Sequence, residues 1–106
     1  MSETPAKPPP ALAIGGWMIG VMVEAEAGAP AVRQYYAVAR PDRNRAEWAA
    51  VDQALILGAV ATSPSGGNEP VEAVAPLQAA TLKAMGLAPG QVRPLGPRWP
   101  RRWLAR

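Results

Sequence analysis

Residues 14–40 read IGGWMIGVMVEAEAGAPAVRQYYAVAR, and the alternation within this stretch decides the fold. Trp17, Ile19, Val21 and Val23 interleave with Met18, Gly20, Met22 and Glu24, a period of two that belongs to a strand. Val32, Gln34, Tyr36 and Val38 repeat the pattern, and Gly28-Ala29-Pro30 supplies the turn between the runs. Folding the runs about that turn sets Val21 opposite Tyr36 and Ile19 opposite Val38. On the other face it sets Gly20 opposite Ala37 and Glu24 opposite Arg33, a favourable cross-strand charge pair. A slip of one residue would send the apolar sets to opposite faces, so the hairpin is self-consistent.

Beyond the hairpin, Arg40-Pro41 closes the second strand and Asp42 is suited to cap a helix, its carboxylate accepting a free N–H of the next turn. That helix runs from Arg43 through NRAEWAAVDQALIL, with Trp48, Val51, Leu55 and Ala54 expected inward, Arg45 and Asp52 outward, and Gly58 as the stop. Residues 63–68, SPSGGN, form a loop. Val71 to Ala75 reads as a short third strand. Pro76 is placed for the first turn of a short helix, LQAATLKAM, that buries Leu77, Leu82 and Met85. Gly86 is its terminating glycine, Leu87 folds back on it, and Pro89-Gly90 turns the chain again.

The order β-β-α-β-α predicts a small single α+β domain: a three-stranded antiparallel sheet of order 2-1-3 with one or two packed helices. That order is similar in outline to a split ferredoxin-like arrangement, a likeness that implies nothing about function. The chain divides into a proline-rich lead expected to be disordered (1–11), the α+β domain (12–92) and a basic tail (93–106).

Composition sets limits on this domain. Of 106 residues 49% are hydrophobic, but 22 are alanine and none is phenylalanine. A body of about 80 residues buries only roughly 60–65% of its unfolded surface, so an aromatic borrowed from a terminus or a partner would add to a thin core. The net charge of +3 hides an asymmetry. Residues 1–90 carry six Lys or Arg against eight Asp or Glu, whereas residues 91–106 carry five Arg and no acid. The body therefore holds no general attraction for phosphate, and the basic character belongs to the tail.

The chain contains neither cysteine nor histidine. That removes the thiol nucleophile, the thiolate metal site, the usual neutral-pH base and the commonest metal ligand. Neither IGGWMIG nor SPSGGN has the spacing or the lysine of a phosphate-binding loop. The carboxylates Glu24, Glu26, Asp42, Glu47 and Asp52 are explained by a hairpin ion pair, a cap and a solvated helix face rather than by an acid–base pair in a cleft. No catalytic residue, metal or cofactor is therefore expected. Lys7, Ala11–Val23 and Ala25-Glu26-Ala27 imitate an export signal, but Glu3, three consecutive prolines and Glu24 oppose it. The segment reads as a strand and the location as cytoplasmic. Its 13 apolar residues are too few to span a bilayer.

Two features remain as candidate contact surfaces. Met18, Met22 and Tyr35, with Ala37 and Ala39, share the second sheet face, which would be core under the second helix or the tail, a homodimer interface, or a groove for a partner. The tail RPLGPRWPRRWLAR ends in one potential turn bearing Arg98, Trp99, Arg101, Arg102 and Trp103. A turn so short needs a surface to order it. That surface is the body itself, RNA or DNA met by arginine on phosphate and tryptophan on bases, an anionic membrane, or an acidic protein. The function expected is a non-enzymatic binding or adaptor domain engaging a protein partner or itself, with nucleic-acid binding through the tail as the alternative.

Overall fold

Among the described residues of the computed structural model there are six elements: β1 (Ile14–Val23), β2 (Val32–Val38), α1 (Arg43–Leu57), β3 (Val71–Gln78), α2 (Ala79–Met85) and β4 (Val92–Gly96). The structure describes residues 13–25, 29–64 and 67–104. The proline-rich lead, Glu26 and Gly28 of the hairpin turn, Ser65-Gly66 and the final Arg106 lie outside the described residues. The strands form one antiparallel sheet of order β3-β1-β2-β4. The expected 2-1-3 arrangement is therefore present, extended by a fourth strand on the outer side of β2. Arg93-Pro94-Leu95-Gly96 is extended as its prolines require, but it is also paired, with Val92 opposite Val38 and Pro94 opposite Tyr36.

The hairpin keeps its face assignment but not its register. Ile19 lies opposite Tyr36, Val21 opposite Gln34, Gly20 opposite Tyr35 and Met22 opposite Arg33. The offset from the expected pairing is even, so every side chain stays on its intended face while its partner changes. Glu24 accordingly loses Arg33, which reaches across Gly20 to Glu72 on β3 instead (Nη2 to Oε2, 2.7 Å).

Pro76 is also relocated. It sits within β3 opposite Trp17 and not in the first turn of α2. An edge strand leaves one side of its backbone unpaired, and proline's missing N–H is tolerated there. The end of α2 follows the sequence expectation. Gly86 adopts a left-handed conformation (φ 75°), and the Leu87 N–H donates to the Leu82 carbonyl at 2.9 Å. Gly90 (φ 84°) then donates to the Ala39 carbonyl, and Ala39 to that of Gln91, which brings the following chain alongside β2.

The sheet is covered on both faces. One core holds Ile19, Val21, Val23, Tyr36 and Val38 under Ala46, Ala50 and Ala54 of α1. Asp42 caps that helix, accepting from the Arg45 N–H at 2.9 Å. The inward face of α1 differs from expectation: Trp48 and Leu55 are exposed, and an alanine stripe at four-residue spacing meets the sheet. The sheet already presents branched and aromatic side chains there, and small residues let the helix approach it closely.

The Tyr36 hydroxyl is buried in this layer without a hydrogen-bond partner among the described residues, and burial raises its pKa above the ordinary tyrosine value. Tyr36→Phe is expected to hold or raise stability at pH 7, by up to about 1 kcal/mol, because an unpaired polar atom leaves the core. A folded-state pKa above the unfolded one contributes stability that is present below about pH 10 and lost as pH rises through the folded value. Urea unfolding followed from about pH 8 to about pH 11 should therefore show a shallower alkaline decline for Tyr36→Phe than for the parent.

Candidate functional site

The second sheet face, where Met18, Met22 and Tyr35 stand, is interior. Their fractional exposures are 0%, 3% and 6%. Met18 and Tyr35 belong to a core completed by Leu77, by Leu82 and Met85 of α2, and by Leu87 and Leu104, with Val74, Leu95, Trp99 and Trp103 packed against it. The Trp99 ring meets Tyr35 edge to face, centroids 5.7 Å apart at 84°. The expected partner-binding face is thus filled by the chain's own α2 and C-terminal segment, and with these in place Met18, Met22 and Tyr35 offer no open surface.

At the border of this face the Arg33 guanidinium lies over Gly20, where no Cβ blocks it, and 5.4 Å from the Tyr35 ring centroid. The Glu72 ion pair and a longer bond to Asn68 Oδ1 (3.4 Å) hold it there. The C-terminal segment turns once more: the Trp103 and Leu104 N–H groups donate to the Pro100 carbonyl at 3.0 and 2.9 Å. That turn places Trp99 and Leu104 on the body and leaves Arg98, Arg101 and Arg102 exposed. The Arg102 guanidinium stands 4.8 Å from the Trp103 ring centroid. Arg93, which the sequence assigns only to the general basic charge, donates to the Met85 carbonyl at the end of α2.

The carboxylates are dispersed. Asp42 caps α1, Glu47 pairs with Arg43 at 3.3 Å, Glu72 pairs with Arg33, and Asp52 lies exposed on α1. Among the described residues no group of three or more His, Cys, Asp or Glu is placed to hold a metal ion, and no helix is long and apolar enough to cross a membrane.

The expectation that Trp48 and Leu55 point inward conceals the outer surface of α1. Trp48 is 71% exposed, Ile56 76%, and Leu55 and Leu57 are more than half exposed. Beside Trp48 runs an open groove of about 590 Å³ lined by Asn44, Glu47, Val51, Val60, Thr62 and Val71. A second apolar depression of about 600 Å³ lies between α2 and the end of β2, lined by Gly15, Ala39, Pro41, Leu82, Leu87 and Pro89, with Lys83 at its side. The signal for the first surface is in the sequence after all. Ala46, Ala50 and Ala54 form a competing stripe at helical spacing, and if that stripe is buried, Trp48 and Ile56 turn outward. Comparison with protein-family models, with curated proteins and with solved structures gives no match for this chain.

Proposed function

We propose that this chain is a non-catalytic protein-binding domain that engages its partner through the outer surface of α1. One observation carries this: both sheet faces are filled from within, yet Trp48, Leu55 and Ile56 remain in solvent on one helix, next to a groove with apolar walls. Exposed tryptophan, leucine and isoleucine on one side of a helix have the chemistry of a protein interface core. A second reading places nucleic acid on the C-terminal turn. It is supported by Arg98, Arg101 and Arg102, which all face solvent there, although Trp99, packed on Tyr35, is withdrawn from stacking on bases.

One experiment separates the two. A photo-crosslinking residue at position 56, and in a second variant at position 98, is activated in cells expressing the full chain. The proposal expects protease-sensitive adducts from position 56 and none from position 98. Nuclease-sensitive adducts from position 98, with position 56 silent, would overturn it in favour of the second reading.

A further inference from the structure

Which protein the α1 surface accepts is encoded in its charges. The buried stripe of Ala46, Ala50 and Ala54 fixes the helix orientation, so the opposite side presents Arg45, Trp48, Asp52, Leu55 and Ile56. Arg43 and Glu47 pair with each other at 3.3 Å, whereas neither Arg45 nor Asp52 has an ion-pair partner among the described residues. These two opposite charges stand seven residues apart with Trp48 between them, near one end of an otherwise apolar face.

We infer that the occupant is a second copy of this chain, bound with the two α1 helices antiparallel about a two-fold axis passing beside Trp48. The inference rests on the proposed role of this surface and names its partner. Antiparallel pairing brings Arg45 of each copy against Asp52 of the other, so one charge relation is satisfied twice, as a two-fold interface requires. The two Trp48 rings meet near the axis. Leu55 and Ile56 pass beyond the charged pair and reach the start of the opposite α1, where Pro41 is exposed and its carbonyl accepts from the half-buried Trp17 indole at 2.9 Å. A parallel arrangement would instead set Arg45 on Arg45 and Asp52 on Asp52. One helix face falls short of the roughly 800 Å² per partner of a standard interface. The dimer should therefore be weak, with a dissociation constant on the order of tens of micromolar.

The test is sedimentation equilibrium of the purified full chain from micromolar to millimolar concentration, with Arg45→Asp, Asp52→Arg and the two combined. Arg45 and Asp52 are exposed, so all variants should melt at the parent temperature when dilute. Each single reversal is expected to weaken association at least tenfold, and the double reversal to restore it to within about threefold. A parent chain that stays monomeric, or a double variant no better than the singles, would overturn the inference. The adducts at position 56 separate its failure from that of the broader proposal. Self-adducts of twice the chain mass agree with a second copy. Adducts to a different protein only would refute the second copy and leave a binding surface. No adduct at all would refute both.

Discussion

A chain that stops at Gly96 is expected to lose about 3–5 kcal/mol of unfolding free energy, and with it most of the stability a domain of this size possesses. The deleted residues include Trp99, packed edge to face on Tyr35, and Leu104, buried in the same core. Removing them uncovers Tyr35 and opens the core that Leu104 helps to close. Thermal unfolding should fall by about 15–30 °C, and a dye that reports exposed apolar surface should bind the shortened chain and not the parent. The arginines of the same segment behave differently. Replacing Arg98, Arg101 and Arg102 together with glutamine should change stability by less than about 0.5 kcal/mol, because exposed charges and an exposed cation–ring contact contribute little. If the shortened chain unfolds like the parent, the C-terminal turn is not part of the core.

Gly16→Ala is expected to cost about 3 kcal/mol, and Gly20→Ala only about 1 kcal/mol, although both residues are buried in β1. A Cβ on Gly16 would run into the Val38 carbonyl, a backbone atom locked in the β1–β2 pairing, and would also press on the Leu82 side chain at 3.0 Å. No rotamer change relieves the first contact, so the strands must separate. A Cβ on Gly20 meets the guanidinium of Arg33, the far end of a flexible side chain. Arg33 can lift away, forfeiting its ion pair with Glu72 and its place over Tyr35. Urea midpoints of the two variants, compared at equal slope, measure the difference. Equal effects would mean that the β1–β2 approach at Gly16 is loose enough to admit a Cβ.

The hairpin faces were legible because a period of two survives any even shift in register, and the residues themselves carry it. The pairing was not legible, because the turn that sets it is a run of Ala, Glu, Gly and Pro compatible with several loop lengths. The fourth strand was hidden by Pro94 and Pro97, which mark extended chain but also weaken any strand assignment. The inward side of α1 was misjudged because hydrophobicity favours Trp48 and Leu55, whereas the volume left above Tyr36 and Val38 favours alanine. Pattern reports the first quantity and packing decides by the second. Met18 and Tyr35 were recognisable as one apolar face. Cover by the second helix or the tail was one of the readings open for that face, and pattern alone could not choose among them, because the contact of Trp99 with Tyr35 joins residues far apart in the sequence.

Among the described residues two prolines lie within strands, Pro76 in β3 and Pro94 in β4, at the two borders of the sheet. Each removes an amide hydrogen from a row that a neighbouring strand would otherwise read, and so interrupts a template for lateral growth. Concentrated solutions of this chain should therefore yield finite particles and not fibres.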